Sequence, residues 1–377
     1  LKIESITGMS FLPLIDKYKN FDFTAYCNSV TKDKVKSVLA KQFLSEMDYL
    51  ALLSDSASEL LEDMAQRAHT LTQQHFGNVI FLFTPLYISN VCDNVCAYCS
   101  FAKQHHIHRR HLNFEEIRQE AENIAKKGIR HILVLTGESR RAVSIEYLEK
   151  AISIIKEYFS TVAIEIYALD ENEYKTLVNA GVDGLTIYQE TYNRDTYKIL
   201  HTGGPKADYE FRLDAPDRAC KSGVRAVTVG ALFGLHEWRS EAFFTGLHAA
   251  HLQNRYTSAE VSVSFPRIRP LAGEFTTEHV LGDRQFVQLM TALRIYMPSA
   301  GITVSTRESE SFRNSILPLG PTKMSAGVST AVGGHSEDPS TSQFEISDTR
   351  SVEQMKADLV KRGFQPVMHD WNRNYVS

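Results

Sequence analysis

From residue 79 onward the chain alternates short β-rich runs with amphipathic helical segments, and no other feature restricts its possible folds as much. The runs are Val79 to Ser89, His131 to Thr136, Val162 to Tyr167, Leu185 to Tyr188, Val224 to Phe233, Glu260 to Phe265 and Ile302 to Ser305. Strands separated by helices are joined by crossovers, so they are expected to lie parallel in one sheet. Two of the helices carry start and stop signals: Asn113 with Glu116 and Asp170 with Glu173 read as capping boxes, and Gly128 and Gly181 end them. An eighth strand is expected around Lys323 to Ala326, after the turn Leu319-Gly320-Pro321. The pattern leaves open whether the barrel is closed or partly open.

The flanks read differently. Up to Gly77 the chain is strand-poor, with apolar residues at three- and four-residue spacing over Lys32 to Met47 and Ser56 to His75. Residues 327–350 are rich in Gly, Ser, Thr and Asp and are expected to form a mobile loop. A last helix, Ser351 to Arg362, stops at Gly363 before Gln365-Pro366-Val367. The expected organisation is a helical cap over 1–77, an α/β barrel over 78–326, and a C-terminal loop and helix covering the barrel over 327–377.

At 377 residues and 43% hydrophobic, the chain can bury one large barrel core. Its 41 Lys and Arg against 45 Asp and Glu give a net charge of −4, with no basic footprint for nucleic acid. No apolar run approaches the roughly 20 residues needed to span a bilayer, and Leu1-Lys2-Ile3-Glu4 does not open a secretory signal. A cytoplasmic protein with no membrane partner is therefore expected. Three of the five cysteines are clustered, whereas Cys27 and Cys220 stand far apart, a pattern unlike a secreted disulfide framework. Those two are expected to be small buried hydrophobes.

The cluster is Cys92, Cys96 and Cys99, a CxxxCxxC directly after the first strand with Tyr98 before the last thiol. Three thiolates on one loop leave a tetrahedral site or a cubane cluster one ligand short, and the open position is where chemistry can occur. A zinc knuckle closed by His105, His106 or His108, or three unrelated buried thiols, are the alternatives left by spacing alone. The histidines themselves, with Arg109, Arg110 and His111, read as solvated loop residues, and Phe243-Phe244 reads as core. Parallel barrels place active sites at the C-terminal ends of their strands. There the sequence puts Thr136-Gly137-Glu138, Glu165, Gln189-Glu190, Arg267 and Arg307-Glu308.

These segments, with Pro85 to Asn90, Tyr188 to Tyr192, Ser262 to Arg267 and Ser305 to Ser309, resemble the aromatic amino acid lyases of the radical S-adenosylmethionine (SAM) superfamily. The likeness is greatest to the tyrosine lyases of thiamine biosynthesis and runs from the helical cap to Asp370-Trp371. It implies a radical SAM (β/α)8 barrel whose Cys92, Cys96 and Cys99 hold a [4Fe-4S] cluster, with SAM chelating the fourth iron. Glu138 matches the acidic end of the motif that binds the SAM ammonium, although Thr136 replaces its first glycine before Gly137. The resemblance further implies Tyr98 beside the adenine, Glu165 and Gln189 at the ribose or elsewhere on SAM, and Arg212 at the SAM carboxylate. Arg307, with Ser325 assisting, would clamp the substrate carboxylate. The implied reaction uses a 5′-deoxyadenosyl radical to break the Cα–Cβ bond of L-tyrosine, giving p-cresol and dehydroglycine. Implied partners are a flavodoxin or ferredoxin donating electrons and the thiazole synthase that uses the product. Within the superfamily, the hydrogenase-maturation tyrosine lyases and tryptophan lyases are the rivals; the former carry a second cluster on C-terminal cysteines, and no cysteine follows Cys220 here. A zinc- or cluster-bearing scaffold without catalysis is the rival from another class.

Overall fold

A computed structural model describes residues 10–269, 275–336 and 340–369; Asp370 and Trp371 lie outside these residues. The described strands are β1 (Val79–Ser89), β2 (Val95–Cys96), β3 (His131–Thr136), β4 (Thr161–Glu165), β5 (Gly184–Glu190), β6 (His201–Gly203), β7 (Ala226–Ala231), β8 (Glu260–Ser264), β9 (Gly301–Val304), β10 (Lys323–Ser325) and β11 (Gln365–Val367). Eight of them form a parallel barrel in the order β1-β3-β4-β5-β7-β8-β9-β10, and β10 closes onto β1 through Phe81↔Lys323, Leu82↔Met324 and Phe83↔Ser325. Closure was the point the sequence left open. Its cause is the length of β1, whose eleven residues hold β10 near one end and β3 over Thr84–Ser89 at the other.

Two pairings were not foreseen. The segment Gln365-Pro366-Val367 becomes β11 and adds to β1 at Val79–Phe81, a sheet-edge place that suits a residue lacking an amide donor. The thiol loop itself contributes β2, which pairs antiparallel with β6.

Barrel helices begin where their caps predict, since Asn113 and Asp170 both form capping boxes and Gly181 adopts the left-handed conformation at φ 117°. The expected helix over Lys32 to Met47 is instead two, Lys32–Leu39 and Glu46–Ala51. The break arises because Ser45 and Asp48 cap the second helix, with Lys34 and Lys41 also bonded to the Asp48 carboxylate. From there Tyr49 reaches under the barrel helix Trp238–Arg255, donates its hydroxyl to Ala242 O at 2.9 Å and stacks on Tyr296. Gly246 makes room for this ring, as a Cβ there would lie 2.4 Å from Tyr49 Cε1. Phe243 and Phe244 are core, packed against Tyr18 and Phe23 of the N-terminal helices. Cys27 and Cys220 are also buried.

The described residues of 327–350 form a loop without helix or strand, as expected, but part of it is packed rather than solvated. Ala331 and Val332 are buried, and Asp348 forms fully enclosed ion pairs with Arg313 and Arg350. Ser340 and Asp348 are bonded within the segment while Ser342, Glu345, Ser347 and Thr349 stay exposed, and Val328, Thr330, Gln343 and Phe344 line the cavity at the barrel mouth.

Candidate active site

The loop after β1 is tied down on all sides. Arg109, expected to be solvated, donates to four backbone carbonyls, those of Asn90, Phe101, Ala102 and His105, at 2.6–3.1 Å. Asn90 bonds the returning chain, donating to His108 O and accepting from Arg110 N. On the other side Cys96 sits opposite His201 in the β2–β6 pairing, and the Tyr98 hydroxyl lies 2.6 Å from His201 Nε2. Because His201 Nδ1 faces Tyr197 O, Nε2 is the acceptor; burial and then Lys206 push this imidazole down to about 4, so it is neutral. Cys92, Cys96 and Cys99 all line one cavity. Burial raises the three thiols, Cys92 to about 11, and Lys206 opposes it at Cys96 and Cys99. No group of three His, Cys, Asp or Glu side chains among the described residues is arranged to hold a single metal ion.

Across the same cavity lie Thr136, Gly137 and Glu138 at the end of β3. Gly137 is required by close approach: a Cβ there would fall 2.4 Å from Val91 O. Glu138 is not a solvated turn acid. Asn94 donates to its Oε2 at 2.8 Å and Arg212 Nη1 to its Oε1 at 3.0 Å. Burial would raise this carboxyl, but Arg212, Lys206 and Asn94 outweigh it and hold it below the ordinary value. Arg212 also donates to Tyr188 O and approaches Glu190, whose Oε1 is 2.6 Å from Lys206 Nζ. Four charges thus neutralise one another beside the thiols.

Gln189 is misplaced by the sequence reading. Tyr188 and Glu190 line the barrel cavity, across a register shift in the β5–β7 pairing, while Gln189 donates to Tyr209 O. Nothing in the sequence marked Lys206, which enters from the turn after β6, or Asn94, which links Glu138 to the Lys206 amide.

Glu190 is also the one non-glycine residue among those described with a left-handed backbone, at φ 70°. Such a conformation costs on the order of 1–2 kcal/mol. The buried carboxylate of Glu241 fixes the following turn, accepting the Thr191 hydroxyl at 2.8 Å and the Tyr192 amide at 2.9 Å. Burial raises Glu241 to about 7 despite those bonds. A folded-state value above the ordinary one favours the neutral acid, so its contribution is complete below the unfolded value and is lost as pH rises through about 7. In Glu241→Gln, the fall in unfolding free energy between pH 5 and pH 8 is expected to shrink by up to ~3 kcal/mol. Urea titrations at the two pH values measure it; identical pH slopes in both proteins would contradict it.

A second, larger cavity opens from Cys99 into the barrel and is lined by Tyr98, Cys99, Glu165, Glu190, Arg307 and Ser325, among others. Glu165 has no salt bridge among the described residues; burial and the neighbouring Glu190 raise it to about 7. Arg307 donates to Arg267 O at 3.3 Å and lies 3.5 Å over the Phe344 ring, with no carboxylate partner among the described residues. Its neighbour Glu308 is engaged by Arg267 and Arg269 instead. Ser325 Oγ accepts from the Thr306 amide beside it. Gln343 accepts from the Tyr87 hydroxyl at 2.8 Å and lies 3.8 Å from Cys99 Sγ, bringing the 327–350 segment against the thiols.

A closed parallel barrel with three thiols and a charged cleft at its C-terminal mouth is the arrangement of a radical SAM enzyme, and the sequence profile of the Radical SAM superfamily matches residues 86–242. A profile described as the Biotin and Thiamin Synthesis associated domain matches residues 264–365. The chain is 38% identical to the 2-iminoacetate synthase of Escherichia coli strain K12 over 353 residues, 93% of this chain and 94% of that one. It is 37% identical, with the same coverage, to the 2-iminoacetate synthase of Salmonella typhimurium strain LT2. The chain belongs to the 2-iminoacetate synthase family. The crystal structure of the FeFe-hydrogenase maturase HydG from Carboxydothermus hydrogenoformans superposes with a TM-score of 0.86 at 30% identity, covering 95% of this chain and 84% of that chain. No described helix is long and apolar enough to cross a membrane.

Proposed function

We propose that this protein is a radical SAM tyrosine lyase that cleaves the Cα–Cβ bond of L-tyrosine to p-cresol and 2-iminoacetate for thiamine thiazole synthesis. The observation that carries this reading is Arg307, a half-buried cation lining the barrel cavity without a carboxylate partner among the described residues, in the same cavity as Cys99. A charge drawn out of water is costly unless paired, and the carboxylate of an amino acid would supply the missing pair. The relatives favour the thiamine lyase over the hydrogenase maturase, with 38% identity over 94% of the relative's length against 30% over 84%.

The residues suit the cofactors that the family implies. Cys92, Cys96 and Cys99 would hold a [4Fe-4S] cluster, and three thiolates leave one iron for SAM. Glu138, Gly137 and Thr136 would receive the SAM ammonium, Gly137 because no side chain fits against Val91 O. Tyr98 would flank the adenine, Glu165 the ribose and Arg212 the SAM carboxylate. When bound, cluster and SAM together supply a carbon radical that removes a hydrogen atom, and the chain's own groups do the rest. Arg307 holds the substrate carboxylate in a planar fork, with Ser325 beside it, and so presents the amine in one place. Phe344, Val328 and Thr330 cover the cavity and keep water out. Reducing electrons would come from a flavodoxin or ferredoxin, and the product would pass to thiazole synthase.

Anaerobic reconstitution with iron, sulfide, SAM, tyrosine and a reductant tests the reading. Formation of p-cresol and of glyoxylate from the hydrolysed imine is expected; 5′-deoxyadenosine without p-cresol at any tyrosine concentration would overturn it. Glu138→Gln keeps the shape and removes the charge. Loss of one charge-assisted contact is expected to weaken SAM binding roughly tenfold to a hundredfold, with the cluster absorbance unchanged. Calorimetric titration of the unreduced protein measures this, and an unaltered SAM affinity would take Glu138 out of the site.

A further inference from the structure

The deep end of the larger cavity lies on one level of the barrel, where strand pairing sets Tyr188, Gly230, Ser264, Thr303 and Lys323 side by side. Thr303 is 7% exposed, and its Oγ1 has no hydrogen-bond partner among the described residues. Among the described side chains lining this cavity, only Thr303 and Arg269 carry such an unpartnered buried polar atom, and Arg269 keeps its charge against Glu308. A buried hydroxyl left without a partner costs roughly 1–3 kcal/mol. Such a group calls for a partner that the protein itself does not supply, and in a cavity that opens to the active site a bound ligand can be that partner.

Position identifies the ligand group. Ser325, the neighbour of Arg307 in the cavity, stands two residues along β10 from Lys323, which is level with Thr303. At the usual strand rise Thr303 therefore lies about 7 Å deeper than the carboxylate clamp, a span that suits a para-substituted phenyl ring. Phe83 and Leu133 provide apolar walls along it.

We propose that Thr303 reads the phenol hydroxyl of the substrate and is the specificity-determining residue for tyrosine, an inference that rests on the lyase reading above. A threonine hydroxyl both donates and accepts, so it pairs with the phenol in either sense. Phenylalanine would bury the same ring and leave Oγ1 orphaned, the situation in which a site built for a hydroxyl rejects its deoxy analogue.

The test is equilibrium binding of L-tyrosine and L-phenylalanine to the reconstituted, SAM-loaded protein without reductant, so that no turnover intervenes. Thr303→Val keeps the shape and suits a strand, whereas Thr303→Ser keeps the hydroxyl. Thr303→Val is expected to bind tyrosine about tenfold more weakly and phenylalanine unchanged, while Thr303→Ser retains the wild-type ratio. A wild-type protein that binds both amino acids equally, a Thr303→Val protein with the wild-type ratio, or one that loses both ligands alike would each overturn the assignment. Product analysis is a separate readout: no p-cresol from wild type defeats the lyase reading, whereas p-cresol with an unchanged binding ratio in the variant defeats Thr303 alone.

Discussion

Cys96→Ala is expected to yield a folded protein that neither retains a cluster nor cleaves SAM. Cys96 is 4% exposed, and its backbone is held in the β2–β6 pairing, which does not depend on the thiol. Arg109 and Asn90 secure the rest of the loop through backbone groups, so the fold around the missing ligand should survive. No other cysteine can substitute, because Cys27 and Cys220 are buried at 3% and 8% exposure in the hydrophobic core away from the mouth. Two thiolates cannot hold a cubane that needs three. Anaerobically reconstituted wild type should carry about four irons and four sulfides per chain, and the variant close to none, with 5′-deoxyadenosine formation abolished. Cys27→Ala and Cys220→Ala should load normally. Full iron content with SAM cleavage in Cys96→Ala would remove the loop from the chemistry.

For Arg307→Ala the expected loss is of tyrosine affinity, with SAM affinity preserved. Removing one partner of an enclosed arginine–carboxylate contact typically costs about 2–5 kcal/mol, or roughly thirty-fold to several thousand-fold in affinity. The variant should also cleave SAM slowly without forming p-cresol, since an unanchored amine is no longer presented to the radical. Arg307→Lys restores the charge but not the fork, and should rescue only part of the binding. The apo protein provides a further readout. Arg313 holds Asp348 in an enclosed ion pair, so its loss should be severely destabilising, whereas among the described residues the Arg307 side chain has a carbonyl and the Phe344 face to lose. A melting temperature that falls as far in Arg307→Ala as in Arg313→Ala would mark Arg307 as structural, as would unchanged tyrosine affinity.

Much of the mouth was legible in the sequence because barrel geometry turns strand ends into neighbours. Residues as far apart as Cys92, Glu138, Glu165 and Arg307 each follow or end a strand, and the structure places them around two adjoining cavities. Where one residue of offset mattered, the reading failed: the sequence favoured Gln189, and the structure puts Glu190 in the cavity. Composition misled over the packed part of 327–350, since a run of Gly, Ser, Thr and Asp looks the same whether its polar groups meet water or one another.

By itself the sequence determined the parallel βα order, the helix caps and the thiol loop, because each is encoded in residues a few positions apart whose periodicity, capping chemistry or spacing acts locally. Only the tertiary structure decided barrel closure, the four-charge cluster of Glu138, Glu190, Lys206 and Arg212, the Arg109 tether and the unpartnered hydroxyl of Thr303. Those depend on which side chains remain without partners once every strand is in register. That outcome is set by contacts between residues tens to hundreds of positions apart, which no local pattern records.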